Sequence, residues 1–293
     1  MKWLLTILSV TLLGNTFANT IVVNKNSQIC TLRQGIKAAK DGDTVLLNKG
    51  TYKEGNIIID KAIQLIGIDA PILDGENKNE ILTLTGKNIV IRGIHFMNAG
   101  YSSMNDYAAL KIIEATNVLI EKNTIINASF AIHIGNSTHS IIRNNIIKGP
   151  SRSEHLSGNG IHLWKCEHMT IENNSIQGHR DGIYFEFVTE SIIQKNISEK
   201  NIRYGLHFMF SHNDTYRDNT FRNNGAGVAV MYTKNVRMEN NVFDKNWGPS
   251  AYGILLKDIS NSFIRNNKFI QNTVAIHMEG SSRIDINNNI FKA

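Results

Sequence analysis

The chain has 293 residues, a formal net charge of +6, only two cysteines and 19% charged residues. Its charges are interspersed and form no basic block, so no nucleic-acid partner is called for, and two cysteines are too few to staple a disulfide scaffold.

The amino end reads as an export signal. Lys2 precedes an apolar run from Trp3 to Leu13, and Thr16-Phe17-Ala18 supplies the small residues of a cleavage site near Ala18. Cleavage there leaves residues 19–293 as one exported domain; a retained amino-terminal anchor is the alternative. No later run approaches the ~18 apolar residues a membrane span requires.

Next comes TLRQGIKAAKDGDTVLLNKGTY. It predicts a short amphipathic helix from Leu32 to Lys40, then a turn and a strand. A cap at about 31–42 would cover the open apolar end of a coil, which a solenoid cannot leave in water. Residues 80–96 and 109–125 carry the first, less regular coils, the former with Ile94 where later coils have asparagine.

From residue 131 onward a beat is audible. Ala131/Asn145, Gly160/Asn174, Gly182/Asn196, Gly205/Asn219, Gly227/Asn241, Gly253/Asn267 and Ala275/Asn289 are each fourteen residues apart, although consecutive repeats are spaced by 22 to 29. Insertions therefore fall only between an asparagine and the next Gly/Ala, as in a rigid repeat with one free loop. Apolar columns stand one, three, eleven and sixteen residues after the Gly/Ala, giving three short strands per turn. The fold class predicted is all-β, a right-handed single-stranded parallel β-helix with rungs of ~22 residues. The asparagines form an inward ladder that satisfies backbone groups at a bend, and the small residues mark a tight corner. Phe291 is an inward position two residues before the last residue, Ala293, so the carboxyl end is expected to be uncapped or truncated. Cys30 and Cys166, several rungs apart, are expected as separate thiols.

The even positions after the Gly/Ala face outward. At plus two stand His133, His162, Tyr184, His207, Ala229, Leu255 and His277; at plus four, Gly135, Trp164, Glu186, Met209, Met231, Lys257 and Glu279. Equivalent residues on successive rungs lie ~4.8 Å apart. This gathers His162, Trp164, Tyr184, Glu186, His207, Met209 and Met231 into one patch of imidazole, thioether and aromatic groups. Thioether with imidazole suits Cu(I), so His162, His207, Met209 and Met231 are the candidate copper ligands. Glu186 is expected to support a ligand histidine, with Trp164 and Tyr184 shaping the surface. Stacked aromatics without metal, or a protein-contact patch, are the alternative uses. His168, His179 and His212 fall near rung corners and are expected on the surface. A glycosidase needs two carboxylates across the scissile bond, and a calcium-dependent lyase needs clustered acids. Glu186 and Asp181 have no second acid in line, so binding without catalysis is expected. The runner-up is a polysaccharide-binding or -cleaving β-helix whose aromatic strip stacks on sugar rings.

Between residues 158 and 280 the strings GNGIHLW, GHRDGIYFEFV, NIRYGLHFMFSHND, NGAGVAVMYT, NWGPSAYGILLKDI and HMEG closely resemble the NosD family of periplasmic nitrous-oxide reductase maturation proteins. GDTVLLNKGTY and ILDG resemble its amino-terminal coil more loosely. The resemblance implies a copper-binding β-helix that works with an ABC transporter (NosF and NosY) and a copper chaperone (NosL). Its implied client is nitrous-oxide reductase, NosZ, whose copper–sulfide centre it helps to supply. Family members are generally longer than this chain.

Overall fold

The structure is a computed structural model that describes residues 18–102, 104–150, 153–248 and 251–293. The expected export signal lies outside these residues apart from Ala18. The described chain winds as a right-handed parallel solenoid of about 12 turns. Each full turn gives one strand to each of three parallel sheets of 12, 10 and 11 strands. The 10-stranded sheet runs from Ile57–Ile59 to Val274–Glu279 and includes Phe130–Gly135, Ile161–Trp164, Asp181–Glu186, Tyr204–Met209, Ala226–Met231 and Tyr252–Lys257.

Alternation builds the core as the columns predict. Ile132, Ile161, Ile183, Leu206, Val228 and Ile254 are buried, as are Ile142, Ile171, Ile193, Tyr216, Met238 and Ile264 of the second strand. Phe221, Phe243 and Phe269 stack along the axis in the third. On the last turn Met278, Ile286 and Phe291 are exposed.

Bends between strands hold a residue in the left-handed region. Five after each Gly/Ala these are Asn136, Lys165, Phe187, Phe210, Tyr232, Asp258 and Gly280, with φ between 49° and 60°. The asparagines fill the bend between the second and third strands and bond from rung to rung. Asn145 Oδ1 accepts the Asn123 backbone N–H at 3.0 Å, and its Nδ2 donates to the Ile120 carbonyl at 3.0 Å. Asn174 and Asn196 repeat this one rung and two rungs on: Asn196 Oδ1 accepts the Asn174 N–H at 3.0 Å, and its Nδ2 donates to the Ile171 carbonyl at 2.8 Å. Asn219 does the same for the Asn196 N–H at 3.0 Å and the Ile193 carbonyl at 2.9 Å. Asn241, Asn267 and Asn289 continue the series to the last turn. Asn145, Asn174, Asn196, Asn219, Asn241 and Asn267 are all buried, whereas Asn289 on the last turn is half-buried. The ladder also starts earlier than the beat, at Asn123, which donates to the Ile91 carbonyl and bonds the Ile94 N–H. A second ladder runs through Asn201, Asn224, Asn246 and Asn272, five residues after the first, with His179 at its head.

The Gly/Ala column has a different cause from the tight corner expected. None of Gly160, Gly182, Gly205, Gly227 or Gly253 has positive φ. A Cβ on Gly182 would lie 2.0 Å from Ser198 Oγ and 2.7 Å from the Gly205 carbonyl. Close packing between rungs, not turn conformation, selects glycine there.

At the amino end Leu32–Ala38 is helical, capped by Thr31, with Gln34 closing a capping box. Leu32 and Ile36 are buried, and Gly35 lies against Val23 and Val45 of the first two coils. Cys30 and Cys166 are free, and burial pushes the Cys166 thiol up to about 11.

Candidate functional site

Strand register brings the two outward columns together. His133, His162, Tyr184, His207, Ala229, Leu255 and His277 are consecutive partners, as are Gly135, Trp164, Glu186, Met209, Met231, Lys257 and Glu279. Met209 and Met231 thus sit on adjacent rungs, and His207 shares a strand and a face with Met209.

The patch is less open than its outward columns suggest. His207 is 5% exposed, Ala229 is fully buried, and His162, Trp164, Tyr184, Glu186, Met209 and Met231 are half-buried. Aromatic rings cover one another along the column. His133 stacks on His162 at 4.7 Å, His162 tilts against Tyr184 at 4.8 Å, and Tyr184 and Tyr204 flank His207 at 5.0 and 4.8 Å. Lys165 Nζ lies 4.3 Å over the Trp164 ring.

The two candidate histidines differ in their polar partners. His162 Nδ1 is 3.0 Å from the Asn159 amide, so that nitrogen is engaged. Burial, then the neighbouring His133 and Arg180, push its pKa down to about 3. His207 Nδ1 lies 3.4 Å from Asp181 Oδ2, while its Nε2 is buried with no hydrogen-bond partner. Asp181 is fully buried and forked by Arg203, whose Nε meets Oδ1 at 2.9 Å and whose Nη2 meets Oδ2 at 2.6 Å. Burial pushes the Asp181 carboxyl up, but His207 and the Arg203 guanidinium beside it outweigh this and hold it below its ordinary range.

Glu186 meets a tyrosine and not the histidine expected. Its carboxylate accepts the Tyr184 hydroxyl at 3.3 Å, and the same hydroxyl is 3.6 Å from Met209 Sδ. Burial first, then Glu186, push the Tyr184 hydroxyl up to about 12, so it keeps its single proton, which these two acceptors compete for or share. The carboxylate that meets the histidine is Asp181. It stands just before Gly182, where the strand begins and no alternation marks a face.

The corner histidines divide. His168 is exposed and His212 half-buried, but His179 is fully buried, because it occupies an asparagine's place at the head of the second ladder. A five-residue offset from the first ladder would have shown this. Also unforeseen is a stack of Phe187, Phe210 and Tyr232 at the left-handed bend, at 5.2 and 5.0 Å with planes 11° and 13° apart. Their exposures are 44%, 37% and 39%. Bulky residues are rare at positive φ, and the stack lies next to the methionines in sequence.

Among the described residues no three His, Cys, Asp or Glu side chains gather as a metal cluster. The donor set at hand is soft, two thioethers and one imidazole, which fits Cu(I) better than a hard cation.

Residues 149–293 match the NosD family, described as a periplasmic copper-binding protein. Over that half the chain belongs to the NosD family. A probable ABC transporter binding protein NosD of Pseudomonas aeruginosa is 31% identical over 152 residues, which cover 50% of this chain and 35% of that relative. This NosD-family chain thus spans about a third of the length of the relative it matches. Solved structures share the winding. An alginate lyase from a Paenibacillus species superposes with a TM-score of 0.69 at 16% identity, covering 93% of this chain and 99% of that one. A mannuronan C-5 epimerase A-module from Azotobacter vinelandii gives 0.62 at 13%, covering 85% and 87%. The Streptococcus pneumoniae surface adhesin PfbA gives 0.68 at 14%, covering 88% and 84%. At such identities the likeness is one of fold.

Proposed function

We propose that this NosD-family chain is a periplasmic accessory protein that accepts and presents Cu(I) for assembly of the nitrous-oxide reductase copper–sulfide centre, without catalysing a reaction. One observation carries the reading. Met209 and Met231 are in register on adjacent rungs, and on the Met209 strand lies an imidazole whose Nε2 has no partner. Copper is cargo here, held by His207, Met209 and Met231. The family description and the transporter-binding relative support the setting. The relative's name supports an ABC transporter as partner; NosF/NosY as that transporter, the chaperone NosL and the client NosZ are proposed on the family resemblance.

His162 is reassigned from ligand to wall, since its Nδ1 faces Asn159 and its ring lies between His133 and Tyr184. Glu186 is reassigned to orienting Tyr184. The polysaccharide reading has shared fold in its favour, but the exposed aromatic ladder argues against it. Stacked nearly parallel, its rings cover one another's faces and offer solvent their rims, whereas a sugar ring lies on a face.

Titrating the purified chain anaerobically with Cu(I) against a competing chelator tests this. The Met209→Ala/Met231→Ala double variant is expected to lose at least 100-fold in affinity, about 2.8 kcal/mol at a tenfold change per 1.4 kcal/mol. Equal retention of copper by both proteins would refute the site.

A further inference from the structure

We propose that Asp181 is the positioning residue of this patch: by accepting the Nδ1 proton of His207 it leaves Nε2 as the donor atom of that ring, so that cargo is held by one imidazole and two thioethers. This rests on the copper reading above.

Four imidazoles stand in the column, and the surroundings separate them; His277 is three rungs from His207 and two from the rung of Met231. His133 is three rungs from Met209, and His162 is engaged by Asn159. His207 alone shares a strand with Met209 and is one rung from Met231. Its Nδ1 faces a carboxylate that cannot turn away. Asp181 is fully buried, forked by the Arg203 guanidinium, and accepts the Tyr204 backbone N–H at 3.3 Å. A carboxylate behind an imidazole fixes both its tautomer and the direction of its other nitrogen.

A rival arrangement uses the same atoms. Arg203 Nη2 is 3.3 Å from His207 Nδ1, and a guanidinium only donates. A bond there would make Nδ1 the acceptor and put the proton on Nε2, a buried N–H with nothing to receive it. Two features favour Asp181 as the partner. Arg203 Nη2 already donates to Asp181 Oδ2 at 2.6 Å, and a buried donor left unmet costs about 1–3 kcal/mol. Because Nε2 is enclosed, cargo reaches it only if a neighbour yields. Met209, unbranched and half-buried, has the freedom to do so.

The tautomer can be read without metal. Long-range proton–nitrogen correlation on the nitrogen-15-labelled full chain, with the His207 signals identified by their absence in His207→Gln, is expected to show Nδ1 protonated and Nε2 bare. The opposite tautomer overturns the assignment, whatever the copper result. In a chelator competition, Asp181→Asn is expected to weaken Cu(I) binding about 10–100-fold. Unchanged affinity in a folded Asp181→Asn protein likewise overturns it. If that variant loses its β-sheet circular dichroism, the wild-type tautomer decides alone. Should the wild type bind no Cu(I) while showing the bare Nε2, the copper reading fails and the Asp181–His207 pairing stands.

Discussion

Two buried carboxylates on neighbouring rungs show how partners decide what a charge does. Asp181 has Arg203, His207 and a backbone N–H, whereas Asp214 has one donor, the Ser191 N–H at 2.8 Å, and leaves Oδ2 unmet beside the equally unmet Tyr216 hydroxyl. Burial, with nearby Glu190 adding repulsion, raises the Asp214 pKa well above its ordinary 3.8. The sign of its effect follows. Below pH ~4 the folded and unfolded forms both carry the proton and no penalty arises. As the pH rises the unfolded chain releases the proton first, so stability falls until the folded pKa is passed. Asp214→Asn keeps the Ser191 bond and removes the charge. It is expected to stabilise the protein at pH 7 by roughly 1–3 kcal/mol, with the gain fading towards pH 4, as read by urea unfolding across pH. A constant gain at every pH would show that charge is not the cause. Asp181 was in view as a lone acid, but its role was hidden, because the contact depends on Arg203 lying beside it across one rung.

At the scale of strands and bends, the asparagine ladder is a set of backbone partners supplied by side chains. Removing one member leaves the N–H of the preceding rung's asparagine and a carbonyl of an earlier strand unmet in a dry interior. Asn196→Ala therefore exposes the Asn174 N–H and the Ile171 carbonyl to that cost. At about 1–3 kcal/mol for each group the loss is roughly 2–6 kcal/mol. Solenoids open locally, so the sharper measurement is hydrogen exchange. The Asn174 amide should lose protection strongly and the Asn267 amide, three rungs from the substitution, hardly at all. Uniform loss along the coil would contradict nearest-neighbour stability. Most of this element-level order was legible in the sequence, since a fixed fourteen-residue offset survives every insertion and alternation names the inward side chains. From Asn145 through Asn219 to Asn289 the offset located each asparagine, although not the particular carbonyl that each would meet. Less legible was why glycine recurs. A close approach between rungs and a tight bend both select small residues, and only the backbone angles at Gly182 and Gly205 tell them apart. Half-burial of the site was hidden for a similar reason. Alternation tells which face a side chain is on, but not that Tyr184 and Tyr204 fold over His207.

For the whole molecule, stability is close to a sum over rungs and their interfaces, and this predicts which deletions are tolerated. Removing residues 205–226 joins Tyr204 to Gly227 and preserves the beat, so Asn196 meets Asn241 and Glu186 comes to lie beside Met231. The shortened chain should keep its β-sheet circular dichroism and lose Cu(I) binding to the level of the double methionine variant, because His207 and Met209 leave together. Removing residues 205–215 breaks the beat in mid-turn and should abolish folding. Retained copper binding in the beat-preserving deletion would place the site elsewhere on the coil.

Adjacent-rung register also sets a clock. The chain is made from its amino end, and the proposed donor groups emerge in the order His207, Met209 and, 22 residues later, Met231. Until that last residue has emerged and its strand has docked on Tyr204–Met209, an early metal ion finds an incomplete donor set. The proposed donor set is therefore complete only late in winding, after most of the coil beneath it has formed.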